Sequence, residues 1–162
     1  MKKIGTKKII FSSTASVYKF KKKLNSFSEK SLVLSNNIYG KTKIKNEKDI
    51  KDFCKNNKIK SIGLSDSYNL SGALEFSESL SSVGTQPIIG TQILFKYKDF
   101  IGFIPLIAKN FDGYKNIIEL SSKSYLDNSS ITDPHCNFDD LLNNHIGIIV
   151  LTGSIRCLIG NL

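Results

Sequence analysis

Hydrophobic and polar residues alternate in blocks along residues 31–162, and these blocks predict strands and helices in turn. Short apolar runs predict strands at residues 32–34, 59–64, 87–94, 100–108 and 146–151. Apolar residues at helical spacing predict helices at residues 73–83, 110–125 and 138–143, and a further helix that opens at Asn46. Strands that alternate with helices indicate an α/β fold with a largely parallel sheet and outer helices.

Two of these helices carry specific expectations. The helix that opens at Asn46 is expected to direct Ile50, Phe53 and Cys54 inward. Asn110 is expected to cap the helix that follows it. The inward residues of that helix are expected to be Tyr114, Ile117, Ile118 and Ser121. Residues 126–137 are expected to form a loop.

Charge is distributed unevenly along the 162 residues. The net charge is +9, but residues 1–60 hold 17 lysines and 4 acidic residues, whereas residues 61–162 hold 6 basic and 10 acidic residues. A basic N-terminal half can contact nucleic-acid phosphates, so a nucleic-acid-binding module in residues 1–60 is one hypothesis. The alternative is a solvated lysine surface without a binding role. Lysine outnumbers arginine 22 to 1, and a coding bias toward lysine accounts for such a ratio.

Residues 1–30 form a separate, basic, Ser/Lys-rich segment that is expected to be divergent or disordered. Its composition resembles that of organelle transit peptides, although transit peptides favour arginine over lysine. An organelle is therefore the minority interpretation of where the protein is located. Three cysteines without metal-type spacing favour a reduced, cytoplasmic compartment, and Cys54 is expected to be a small buried residue. No apolar run reaches the roughly 20 residues of a membrane-spanning helix, so no membrane partner is expected.

The most informative stretch is residues 62–92, which reads as strand, acidic turn, helix, glycine turn and second strand. Asp66 stands at the carboxyl end of the first of these strands. In proteins built from βα repeats, loops at that end converge over the sheet and carry the chemistry. Asp66 is therefore the first candidate for a functional carboxylate.

Four separate motifs occur in this chain in a fixed order. They are SDSYNLSG at residues 65–72, QPIIGTQ at 86–92, an Asn-x-x-Gly-Tyr turn within 106–125, and HIGIIVLTGS at 145–154. Together they resemble the PHP (polymerase and histidinol phosphatase) domain at the N-terminus of bacterial DNA polymerase III alpha subunits, over about residues 58–162. The resemblance implies a partial, distorted (βα)7 barrel in residues 31–162 that is incomplete in this chain. The chain is therefore expected to be a fragment of a longer subunit or a truncated gene product.

The resemblance also implies where a metal site would lie. The family's ligands correspond to Leu32, Asn36, Asp66, Ser67 and Gln92 in this sequence. Of these residues only Asp66 is a charged ligand, and a multinuclear metal cluster needs several carboxylates and imidazoles. The prediction is a vestigial site with no catalytic residue and no metal, so that no cofactor is expected in this chain.

Each candidate side chain also has a structural interpretation. Asp66, Asn69 and Gly72 are typical of a turn in which a carboxylate accepts backbone N–H groups. His135 and His145 are expected to be loop or capping residues.

The function that the resemblance implies is a scaffold and docking region of a replicative polymerase in the bacterial cytoplasm. Its implied partners are the proofreading exonuclease subunit, other polymerase III holoenzyme subunits, and DNA through the parent polymerase. The alternative is an active PHP-type metallo-phosphoesterase or 3′–5′ exonuclease, which would need a divalent metal. The chain lacks the polymerase palm that the parent subunit uses for DNA synthesis, so whether it is itself an enzyme stays open from sequence.

Overall fold

A computed structural model describes residues 10–11, 34–35, 37–128, 133–153 and 157–161. In chain order, these residues form β1 (Ile10–Phe11), α1 (Ile38–Asn57), β2 (Ser61–Ser67), α2 (Ala73–Ser81), β3 (Gln86–Tyr97), β4 (Phe100–Ala108), α3 (Phe111–Leu126), β5 (His135–Asn137), α4 (Phe138–Asn143), β6 (Ile148–Val150) and a 3-10 turn (Ile159–Asn161). None of the helices within the described ranges combines the length and apolar character needed to cross a membrane.

The strands follow the order β1-β2-β3-β4-β6, and β5 pairs with β3. β1 runs parallel to β2, and β5 runs parallel to β3. β4 is antiparallel to both β3 and β6. The α/β class is thus confirmed, and the sheet contains both strand directions because β3 and β4 form a hairpin.

Several predicted boundaries change. α1 begins at Ile38 rather than at Asn46, because the Asn37 side chain accepts a hydrogen bond from the Gly40 N–H and caps the helix there. The stretch predicted as loop, residues 126–137, contains β5, whose short apolar content gave no strand signal. The strand predicted at residues 32–34 falls largely outside the described residues, and Leu34 is exposed coil.

Residue contacts divide the chain into two units, of which the first contains residues 1–64 and 71–88. Its described core consists of buried side chains from α1, β2 and α2: Cys54, Ile62, Leu64, Ala73, Phe76 and Leu80. Thr85 is also buried, and its hydroxyl donates to the Ile59 carbonyl at 3.0 Å. Cys54 is 1% exposed, which confirms that it is a buried residue.

The second unit contains residues 65–70 and 89–162. Its core joins the β3–β4 hairpin to α3, β5, α4 and the residue before the 3-10 turn. The buried members are Ile93, Phe95, Ile104, Leu106, Ile117, Leu120, Cys136, Leu141 and Leu158. α3 is capped as predicted, since the Asn110 side chain accepts from the Gly113 N–H at 2.9 Å. The predicted inward face is partly wrong: Leu120 and Ser124 are buried, whereas Ile118 is 41% exposed.

Candidate functional site

Asp66 lies one residue before the end of β2 and is only 4% exposed. Its backbone carbonyl accepts a hydrogen bond of 2.8 Å from the Thr91 hydroxyl. The neighbouring Ser65 is also buried, at 7% exposed, so both faces of β2 are covered at this end of the strand. Asp66 is therefore at the predicted strand end, but within the protein rather than in an open cleft.

A backbone hydrogen bond holds the chain just after Ser67 against Gln92. The Tyr68 N–H donates to the Gln92 carbonyl at 2.8 Å, which fixes the loop after β2 beside the middle of β3. The Ser67 side chain is exposed, and its carbonyl accepts from the Asn69 amide at 3.0 Å. Both side chains are neutral and are weak donors to a divalent cation.

Thr91 connects the two motifs, and no sequence pattern indicates its role. Its side chain is fully buried, and its hydroxyl lies 2.8 Å from the Asp66 carbonyl and 3.1 Å from the Asn69 carbonyl. A threonine is common in strands because its side chain is β-branched, so its presence in β3 does not indicate a further role for the hydroxyl. Its partners are 22 and 25 residues away along the chain, so periodicity does not find them.

Tyr68 has a backbone φ of +67°, which is unusual for a residue with a side chain. Its ring packs edge-on against Phe103 with centroids 5.0 Å apart, and its carbonyl accepts from the Ser121 hydroxyl at 3.0 Å. Burial raises the pKa of the Tyr68 phenol, and the charges of Asp133 and Tyr125 act in the same direction. The phenol is therefore held neutral in a strained but well-supported position.

Of the three predicted turn residues, Asn69 and Gly72 lie between β2 and α2, whereas Asp66 is still within β2. Asn69 forms its side-chain bond within the loop, to Ser67, and Gly72 is the N-cap of α2. The Gly72 carbonyl accepts the first helical hydrogen bond, from the Phe76 N–H at 3.0 Å. A turn role for the Asp66 carboxylate stays a prediction.

Comparison with known proteins matches residues 38–162 to the PHP domain family. This chain belongs to the PHP domain family. Its curated relatives include proteins named DNA polymerase III subunit alpha. Those of Rickettsia felis, Caulobacter vibrioides and Haemophilus influenzae are 39%, 34% and 34% identical to it over 62%, 59% and 64% of this chain. The chain spans only 8% to 9% of the length of these relatives.

A solved structure from Bifidobacterium adolescentis, whose name describes a metal-dependent phosphoesterase, aligns with a TM-score of 0.34 and 12% identity. The alignment covers 48% of this PHP domain and 28% of that chain.

The two histidines of this PHP domain lie near backbone carbonyls. Nδ1 of His135, in β5, is 2.9 Å from the Asp133 carbonyl, and Nδ1 of His145 is 2.6 Å from the Leu142 carbonyl at the end of α4. A ring nitrogen that carries its proton donates to such a carbonyl. The expectation of a loop or capping residue is wrong for His135, which is the first residue of β5, whereas His145 follows the end of α4.

The described residues of this PHP domain do not fit the metal cluster that the family resemblance implies. Within residues 37–128, 133–153 and the other described ranges, no three His, Cys, Asp or Glu side chains are grouped so that they could hold a metal ion. Leu32 and Asn36, the remaining two positions of the expected site, lie outside the described residues. The three described positions hold a buried carboxylate, an exposed hydroxyl and an amide.

Proposed function

We propose that this PHP domain is the N-terminal scaffold and docking region of a DNA polymerase III alpha subunit and that its metal-dependent phosphoesterase activity has been lost. The observation that supports the loss is the set of described candidate positions, in which a buried carboxylate at Asp66 is the one charged group and Ser67 and Gln92 are neutral. Metal-assisted hydrolysis requires cations that lower the pKa of a bound water and stabilise charge on the phosphate. One carboxylate with neutral neighbours provides too little negative charge to hold several cations.

The link to DNA replication is supported by the names of the relatives, all DNA polymerase III alpha subunits. Because this chain matches less than a tenth of their length, template-directed DNA synthesis belongs to the proposal for the parent subunit. The proposed partners are the proofreading exonuclease subunit and the other holoenzyme subunits. The proposed compartment is the bacterial cytoplasm.

Metal content and hydrolysis test the loss of activity. The purified full chain, incubated with Mn²⁺ or Zn²⁺ and desalted, is expected to retain far less than one equivalent of metal and to leave bis-p-nitrophenyl phosphate intact. An intact PHP phosphoesterase treated in parallel is the positive control. Two or more bound equivalents with turnover would establish the alternative, a metallo-phosphoesterase or 3′–5′ exonuclease.

Complex formation tests the docking role. The full chain, co-expressed with the proofreading exonuclease subunit of the same organism, is expected to co-elute with it in size-exclusion chromatography. Cytochrome c, another lysine-rich basic protein, controls for attraction by charge alone. Separate elution of a folded chain and a folded exonuclease subunit would refute docking.

The basic N-terminal half supports a further proposed contact, with DNA. Within α1, four lysines at positions 41, 45, 48 and 55 are exposed, and at 100° per residue they fall within one broad face of the helix. None of these four is in an ion pair within the described residues. Asp52 lies on the same face and reduces its charge.

A further inference from the structure

The loop after β2 is held by two side-chain hydroxyls, those of Thr91 and Ser121, which are together called the hydroxyl clamp here. Thr91 reaches the loop from β3 and contacts the carbonyls of Asp66 and Asn69. Ser121 reaches it from α3 and donates to the Tyr68 carbonyl. Three carbonyls of a four-residue segment are thus bound by protein hydroxyls that come from two different elements.

The clamp has the properties of a structural anchor. Thr91 is fully buried, so its hydroxyl exchanges no hydrogen bond with solvent. A hydroxyl has one hydrogen, so the Asp66 and Asn69 carbonyls share it. Removal of this donor would take a hydrogen bond from the buried Asp66 carbonyl and from the partly buried Asn69 carbonyl, which is more costly than the loss of an exposed bond.

Tyr68 shows why the loop needs such an anchor. A φ of +67° is sparsely populated by residues with a side chain and persists only where surrounding contacts determine it. Three contacts do so: the Gln92 carbonyl on its N–H, the Ser121 hydroxyl on its carbonyl, and Phe103 on its ring. All of these residues belong to the second unit.

We propose that the hydroxyl clamp, and not a divalent metal, sets the conformation of residues 66–69 in this PHP domain. The inference rests on the proposed loss of the metal site and adds a cause for the order of the loop. Where the family resemblance places metal ligands, this chain uses protein hydroxyls to satisfy the strand-end carbonyls. The loop is therefore formed by folding alone.

Thermal unfolding and hydrogen exchange of the full chain test the clamp. EDTA, Mn²⁺ and Zn²⁺ are each expected to leave the melting temperature unchanged and to leave amide exchange in residues 66–72 unchanged. Thr91→Val is expected to lower the melting temperature by about 3–8 °C. It is also expected to speed exchange of the Tyr68 amide roughly tenfold. Thr91→Ser, which keeps the hydroxyl, is expected to restore slow exchange at that amide.

Thr85→Val is the matched control, because it also removes a buried threonine hydroxyl that donates to a carbonyl, but in the first unit. It is expected to lower the melting temperature without a specific effect on the Tyr68 amide. If Thr91→Val does not fold, Ser121→Ala removes the other half of the clamp and is expected to speed the same exchange.

The outcomes separate this inference from the proposed function. If the Tyr68 amide exchanges at an unchanged rate in both Thr91→Val and Ser121→Ala, the clamp proposal is wrong. The scaffold proposal would still stand in that case if no metal binds. Faster exchange in EDTA, reversed by Mn²⁺, would overturn the clamp and the proposed metal loss together. If the chain fails to bind the exonuclease subunit, the docking proposal is wrong, but the clamp proposal is unaffected.

Discussion

At the scale of single residues, Cys136 shows how burial controls side-chain chemistry in this chain. It is 2% exposed, and its thiol donates to the Leu120 carbonyl at 3.3 Å. Burial raises the pKa of the Cys136 thiol to about 12, with the charge of Asp140 acting in the same direction and that of Lys123 opposing both. The thiol is therefore neutral and unreactive at physiological pH.

This shift predicts a loss of stability in alkali. The unfolded thiol releases its proton above a pH of about 8.5, whereas the folded thiol keeps it until about 12. Between these values the unfolded state binds fewer protons, so the free energy of unfolding falls as pH rises. Urea unfolding from pH 7 to pH 11 measures this decline, and Cys136→Ala is expected to make it shallower. An identical slope in that variant would contradict the assignment.

The residues of the candidate site differ in how far sequence reveals them. Asp66 could be predicted, because a carboxylate at the carboxyl end of a short apolar strand is a local pattern. Thr91, Tyr68 and Ser121 could not, since each acts through a contact between elements and carries no local signal. The expected absence of a metal and the turn role of Asp66 stay predictions.

At the scale of elements, α3 shows why the Asn-x-x-Gly-Tyr motif has its form. Asn110 caps the helix by accepting from the Gly113 N–H. Gly113 also packs directly against the backbone of Gly147, so a Cβ atom at Gly113 would overlap the Gly147 carbonyl. In this motif, the Asn caps the helix, and the Gly allows α3 to pack closely against the turn before β6.

Gly113→Ala is therefore expected to destabilise the chain although alanine favours helices. Overpacking of this kind costs about 1–3 kcal/mol, which exceeds the roughly 1 kcal/mol of helix propensity gained. Urea unfolding measures the difference in the free energy of unfolding. Ser122→Ala, at an exposed position of the same helix, is the control and should be neutral or slightly stabilising. Equal stability of Gly113→Ala and the unmodified chain would contradict the packing.

The elements were predictable where a local signal marks them. Asn110 before the apolar run marks the start of α3, which the structure confirms. Gly84, with a φ of +74°, lies in the turn after α2, but the helix ends at Ser81 rather than at the predicted residue 83. The start of α1 was missed because only Gly40 and Cys54 are buried on that helix, so its first turns show no apolar periodicity. The buried face of α3 was misjudged because apolar residues occur on two of its faces, and the position of the sheet decides between them.

At the scale of the whole molecule, the mixed strand directions follow from one short turn. Tyr97 pairs with Phe100, so only Lys98 and Asp99 connect β3 to β4. Two residues can join antiparallel strands only, whereas a parallel pair needs a crossover of a dozen residues or more. The short connection between the two strands therefore predicts a hairpin from the sequence. The turn has no glycine, which is the usual signal of a hairpin turn, and Lys98 adopts the positive φ of 53° instead.

The uneven charge of the molecule predicts salt-dependent DNA binding through α1. Replacing Lys41, Lys45, Lys48 and Lys55 by Gln is expected to weaken binding of the full chain to duplex DNA. It is also expected to reduce the slope of log affinity against log salt by about 3–4, since each lost phosphate contact contributes about 0.9. Fluorescence anisotropy with a labelled duplex from 50 to 300 mM KCl gives the slope.

The control removes four exposed lysines elsewhere, Lys60, Lys96, Lys98 and Lys109, with the same change in net charge. It is expected to keep most of the slope. Equal losses in both quadruple variants would show that net charge acts without a defined face, and the proposed α1 contact would be wrong.

The capped start of α1 has a consequence for ionic strength. No acidic residue lies in the first turn of this helix, and Lys41, Lys43 and Lys45 follow its cap at Asn37. Cations near the positive end of a helix dipole are repelled by it, and dissolved salt screens this repulsion, with a screening length of roughly 10 Å at 0.1 M. The opening turns of α1 should therefore fray in dilute buffer and tighten as the solution becomes more saline.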